Sequence, residues 1–194
     1  LTLTYCRGAI LSLALVLAFY GIIKNKRLFF MMIVAGLIVA VFDTSITERI
    51  MSAFNADDSS SQMRMAMWES TVAMIIEHPI FGVGWGSYFM VYPYYDFFIN
   101  NPDVLIVHAH NMYLNIAAEI GLLGFMAFCS ILFGAMHMAF SKPQIRESQL
   151  LNGLMLGFGL ALACIAVNGF TDYVLFNIES VSYTHLTLPT TPYV

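Results

Sequence analysis

The sequence predicts an all-α fold: a polytopic transmembrane helical bundle with a large, partly helical loop on its outer face. Three observations predict it. Hydrophobic residues make up 59% of the 194 and charged residues only 10%, where a soluble domain carries about 25% charged. Mean hydropathy is +0.76. Five Lys and Arg residues gather in two short turns between apolar stretches.

A bilayer core takes about 20 mostly apolar residues per helix. Four stretches approach or meet that length: Gly8 to Ile23, Leu28 to Phe42, Ile120 to Phe140 and Leu150 to Phe170. The first two are short and call on flanking or snorkelling side chains. The fourth carries four glycines, among them Gly157 and Gly159, which suits close helix packing. The spans and the segments between them divide the chain into 1–42 (two spans), 43–110 (outer loop, with a helix over about 61–78) and 111–182 (two spans and a following outer segment).

Lys24, Lys26 and Arg27 lie in the first turn, and Lys142 and Arg146 in the last. Cytoplasmic loops are enriched in such residues, so both turns are assigned to the inside. The segment from Asp43 to His110 then lies outside, and its eight acidic residues against two Arg agree. Arg7, Arg64, His110 and Asp172, distant in sequence, all fall on that one face. Charges at a membrane edge are costly and often functional. The net charge of −4 is dispersed, with no basic tract to bind nucleic acid. Cys6, Cys129 and Cys164 show no metal-binding spacing and read as small apolar residues.

The outer loop has internal order. Asp57, Asp58 and Ser59 to Ser61 offer helix caps before QMRMAMWESTVAMIIEH, which Pro79 ends. Arg64 and Trp68 are four apart and share a face. In PIFGVGWGSY, Gly82, Gly84 and Gly86 permit tight turns and close backbone approach, without the GK[ST] of a phosphate loop. The aromatic run YFMVYPYYDFF reads as an interface belt or as a platform for sugar rings or an isoprenoid. Asn100 to Pro102 make a turn. His110 and Asn111 stand where the third long helix begins. Run unbroken from Asn111 to Phe140, that helix would reach about 45 Å, longer than a bilayer core. Its first turns are expected to project outward or tilt, with Glu119 near the outer boundary.

R-x-x-x-W, HPIFGVGWGSY and HAHNMYLNIAAEIGLLG occur in that order, and together they resemble the O-antigen ligase and O-antigen polymerase superfamily of bacterial inner-membrane glycan transferases. The resemblance runs from about Tyr5 to Asn177. YCRGAI is similar to the family's Ser-Arg-Gly motif with Cys6 in place of Ser, and GFTDYVLF to the segment after its next span. Members are about twice this length, so the chain resembles their C-terminal half, with an incomplete groove for the donor lipid. The tail from Tyr183, SYTHLTLPTTPYV with its preceding serine, reads either as translated adapter sequence or as an outer loop; no function is placed there.

The resemblance implies a multi-pass inner-membrane enzyme whose active face and large loop are periplasmic. It implies transfer of a glycan from undecaprenyl pyrophosphate to an acceptor hydroxyl. The acceptor would be a lipid A-core sugar in a ligase and another glycan repeat in a polymerase; protein O-oligosaccharyltransferases share the superfamily. Neither metal nor cofactor is implied. Carried over by motif position, Arg64 and Arg7 would bind the pyrophosphate and His110 would be catalytic. Arg forks suit phosphate oxygens, and a neutral imidazole suits an incoming hydroxyl. Trp68, Asn111, Glu119 and Asp172 are supporting candidates; Glu119 and Asp172 could each orient an Arg or a His, or simply sit at the interface. His108 is adjacent but is expected to point differently from His110; His78 reads as a helix-end residue, and Arg49 is a reserve. A reading of another class is a polysaccharide transporter or flippase in which Arg64 only guides an anion.

Overall fold

The computed structural model describes residues 7–42, 59–97, 106–141 and 148–175. Cys6, Arg49, Asp57, Asp58, the turn at Asn100 to Pro102, Lys142, Arg146, His185 and the tail from Tyr183 lie outside the described residues. Among the described residues the fold is all-helical, with no strand. Its α-helices are α1 (Arg7–Lys24), α2 (Lys26–Phe42), α3 (Ser59–Glu77), α4 (Tyr88–Val91), α5 (Met112–Ser141) and α6 (Gln149–Asn168). A 3-10 turn, Tyr92–Tyr94, follows α4.

α1 and α2 form a hairpin turned at Asn25. The Asn25 amide closes the last turn of α1 on Gly21 O at 3.0 Å, while its side-chain oxygen accepts the Arg27 amide at 3.2 Å and starts α2. α6 packs along α5 and α1. α5 and α6 are long and apolar enough to cross a membrane; α1 and α2 have 18 and 17 residues. Large apolar side chains such as Phe19, Phe30, Ile131 and Leu154 are exposed on all four helices. An apolar cavity of about 930 Å³ lies between α1, α5 and α6 near Lys24, lined by Phe19, Met136 and Leu156 among others.

α5 is not the unbroken helix that its sequence suggests. Gly121 has φ 70° and ψ 179°, and the helical path breaks there. Residues 122–141 then measure about 30 Å, one bilayer core, and residues 112–120 form a short separate segment. A break frees backbone groups that must find other partners. The loop after Pro79 supplies them. The Leu122 amide donates to Pro79 O at 2.8 Å, and the Val83 and Gly84 amides donate to Ala118 O and Glu119 O, each at 2.9 Å. The glycine-rich loop and the E-x-GLLG stretch are thus two halves of one backbone joint.

α3 packs on α5 beside this joint. Met67 and Met74 lie in a core with Tyr88, Tyr92, Ile106, Ala109 and Ala118. The aromatic run divides. Tyr88 and Tyr92 are buried and stacked at 5.5 Å between ring centroids, whereas Tyr94 and Phe97 are exposed. Thr71 donates to Met67 O at 2.6 Å, which uses its one hydroxyl proton, so the 2.8 Å contact with Tyr88 has the tyrosine as donor. Burial pushes the Tyr88 hydroxyl well above the ordinary phenol range.

Candidate functional site

The site forms where α5 starts, α6 ends and α1 starts. Asn111 caps α5: its side-chain oxygen accepts the Tyr113 and Leu114 amides at 3.0 and 3.1 Å. Its Nδ2 donates to Phe170 O at 3.2 Å, and the next amide, Met112, donates to Gly169 O at 2.7 Å. These bonds tie the start of α5 to the turn after α6, which carries Asp172. Gly8 packs on the same turn: a Cβ there would lie 2.8 Å from Asn168 Oδ1 and 3.1 Å from Thr171 Oγ1. Arg7 therefore begins α1 beside the turn bearing Asp172, although its side chain lies outside the described residues.

His110 has φ 48°, the only positive φ outside glycine among the described residues. Such a conformation is uncommon for a side-chain-bearing residue and persists where its surroundings enforce it. Its Nδ1 lies 3.4 Å from Asp172 Oδ1. That contact, first among the causes, holds the Asp172 carboxyl below its ordinary range. Tyr173 donates its amide to the same Oδ1 at 2.8 Å, and burial pushes its hydroxyl up to about 12.

His108 points in a different direction from His110 yet stays in contact with it. Its ring lies edge-on to that of His110, with centroids 4.2 Å apart, and its Nδ1 accepts the His110 amide at 3.2 Å. The turn forced by the positive φ brings the two rings together. Burial, helped by His110, pushes His108 down to about 4, so it is neutral at pH 7. One ligand atom from each of His108, His110 and Asp172 falls within 4.8 Å of the others.

Trp68 joins α3 to this centre, donating Nε1–H to Ala109 O at 3.0 Å. Arg64 lies one turn earlier on the same helix, half-buried, and no carboxylate pairs with it among the described residues. Asn111, Asn115 and Glu119 are all buried, at 7%, 0% and 3% exposure, and recur every fourth residue along one face of the short segment. Asn115 accepts the Ala109 amide at 2.9 Å, fixing the chain between the two histidines. Glu119 takes the Gly86 and Tyr88 amides; it lies close to Asn115, whose Nδ2 has no partner in full hydrogen-bond geometry. His78, on an exposed bend, and His137, exposed on α5, stand apart.

The structure thus gathers His110, Asn111 and Asp172, joins Trp68 to them, and places Glu119 two turns below Asn111. Sequence reasoning missed Asn115 and underrated His108. The four-residue recurrence of Asn, Asn and Glu in an otherwise apolar helix was the available signal for Asn115. Nothing local signals the approach of His108, which depends on the His110 backbone.

No curated protein and no solved structure matches the chain. A family model described as O-antigen ligase matches residues 1–129, which include both histidines, Arg64, the glycine-rich loop and the break at Gly121, while α6 and Asp172 lie beyond it. With two thirds of its length under that match, the chain belongs to the O-antigen ligase family.

Proposed function

We propose that this chain carries the site of a metal-independent transferase that moves a glycan from undecaprenyl pyrophosphate to an acceptor hydroxyl on the periplasmic face of the bacterial inner membrane. Family membership implies lipid-linked glycan and acceptor substrates in general. The observation that carries the finer reading is His110: backbone-strained, oriented by a carboxylate, and joined through Ala109 and Trp68 to the helix bearing Arg64.

On this reading Asp172 accepts a hydrogen bond from His110 Nδ1–H, which selects the tautomer with its lone pair on Nε2. That nitrogen takes the proton of the acceptor hydroxyl as its oxygen bonds to the anomeric carbon. The bond from that carbon to the pyrophosphate oxygen breaks, and undecaprenyl pyrophosphate departs. Arg64, with Arg7, binds its phosphate oxygens and stabilises the charge that develops there. Asn111, Trp68 and Glu119 hold the backbone that presents His110.

The test is glycan transfer by the full-length protein in membranes, with donor-lipid binding measured separately. His110→Asn keeps a residue that tolerates positive φ and removes the imidazole. Transfer is expected to fall by about 10²–10⁴-fold with donor binding retained; normal transfer would sink the assignment. Arg64→Ala is expected to weaken donor binding, and unchanged binding would remove its role. Loss of transfer in both variants with normal export of the lipid-linked glycan separates a transferase from a flippase.

A further inference from the structure

We propose that His108, His110 and Asp172 form a binding site for a divalent transition-metal ion of the zinc class. Two imidazoles and one carboxylate are the ligand types such ions prefer. Three protein ligands with a remaining open position is the arrangement of an exchangeable site rather than a closed structural one. The residues converge from two separate stretches, the strained turn before α5 and the turn after α6. Bonds at Met112 and Asn111 hold those stretches together.

The dimensions permit it. Ligand atoms around tetrahedral zinc, at about 2.0–2.2 Å from the ion, stand about 3.3 Å apart. His110 Nδ1 and Asp172 Oδ1 are already 3.4 Å apart, and no pair in the set exceeds 4.8 Å. The remaining contraction is at most about 1.5 Å. His110 and Asp172 are 40% and 42% exposed, so they have room for the rotamer adjustment, and an ion can enter from solvent. Two neutral imidazoles and one carboxylate leave the bound divalent ion with a net charge of about +1. The open position would then take water or an anionic oxygen. An ion there occupies the His110 nitrogen that faces Asp172, so on the proposed reading of His110 it would oppose transfer. That consequence rests on the transferase reading; the binding site does not.

The test uses the whole chain, free of any histidine tag, in lipid nanodiscs. Cobalt(II), a coloured substitute for zinc, is titrated in while visible absorption is recorded. One equivalent is expected to bind with the intense bands of a four- or five-coordinate ion, displaced by zinc. His108→Gln, His110→Asn and Asp172→Asn should each weaken binding at least about tenfold, while His78→Ala should leave it unchanged. Zinc should also shift the ring nitrogen resonances of His108 and His110, and not of His78, in the unmutated chain; this reading needs no substitution to fold. Absence of binding by the unmutated chain, binding indifferent to all three substitutions, or unshifted His108 and His110 resonances would overturn the site.

Discussion

Gly121→Ala would strike the joint between α5 and the glycine-rich loop. A non-glycine residue at φ near 70° costs about 1–2 kcal/mol. The added Cβ would also lie 2.1 Å from Ile80 O, 2.4 Å from Ile80 C and 2.6 Å from Phe81 N, all backbone atoms. The loop must move, and with it go the bonds Leu122 to Pro79, Val83 to Ala118 and Gly84 to Glu119. Each contributes about 0.5–1.5 kcal/mol net, so the expected loss is about 3–6 kcal/mol. For a chain of this size 1 kcal/mol shifts the melting temperature by about 2–4 °C, so thermal unfolding in nanodiscs should drop by at least about 6 °C. Gly134→Ala is the control: a Cβ there meets nothing within 4 Å, and a helical Gly→Ala change should stabilise by about 0.5–1 kcal/mol. Gly82→Ala, whose Cβ would lie 2.5 Å from Ala118 O, should damage the same joint. The double variant should therefore melt little below the worse single one. A Gly121→Ala protein melting within 2 °C of the parent, or full additivity with Gly82→Ala, would refute the joint; the 2 °C threshold is set at about the smallest shift expected of 1 kcal/mol.

Asp172→Asn should lower transfer by up to about 10⁴-fold, as loss of the carboxylate that fixes a general-base histidine's tautomer does, with donor binding unchanged; transfer at the parent rate would separate Asp172 from His110. Because the folded carboxyl titrates below its ordinary 3.8, its contribution to stability is complete at neutral pH and disappears only as pH falls below about 4, so the parent and Asp172→Asn should converge in acid melts. Tyr88 has the opposite sign. Its folded value lies above the ordinary 10.0, so its contribution is full below pH 10 and is lost as pH rises beyond it. Tyr88→Phe should blunt that alkaline transition and cost about 1 kcal/mol at neutral pH for the lost bond to Thr71, read by melts from pH 8 to 11, a range that brackets the free phenol value of about 10. Asn111→Ala should remove the α5 cap at a cost of about 1–2 kcal/mol and speed amide exchange at Tyr113 and Leu114; unchanged exchange there would contradict the cap.

The helical class and two membrane-length helices were legible because they rest on composition and on the length of apolar runs, which each residue reports independently. The loop glycines were legible as sites of close approach, and three of them do adopt positive φ: Gly82, Gly84 and Gly86. Their partner was not. Gly121 sits in a run apolar enough to read as one helix, and its break is visible only once Ile80 occupies the space where a Cβ would be. The approach of Asp172 to His110 was legible only as a shared face of the membrane. The bonds that make it a contact run from Asn111 and Met112 to the carbonyls of Phe170 and Gly169, and a backbone carbonyl has no sequence signature.

The break also explains how a short helical segment can hold a strained histidine. Residues 112–120 are fixed at both ends. At the first, Asn111 and Met112 bond to the turn after α6; at the second, Ala118 and Glu119 accept the amides of Val83 and Gly84. Between them, Asn115 takes the Ala109 amide and Glu119 takes those of Gly86 and Tyr88. Every anchor is a directed hydrogen bond, and most end on backbone, so the segment resists rotation as well as translation. Its rigidity reaches His110 through Ala109, whose amide is held by Asn115 and whose carbonyl is held by Trp68. With the peptides on both sides of Ala109 fixed in this way, the next residue, His110, takes the positive φ from which its ring faces Asp172. The joint at Gly121 and the geometry at His110 are therefore one mechanical unit, and damage to the first should be read in the second.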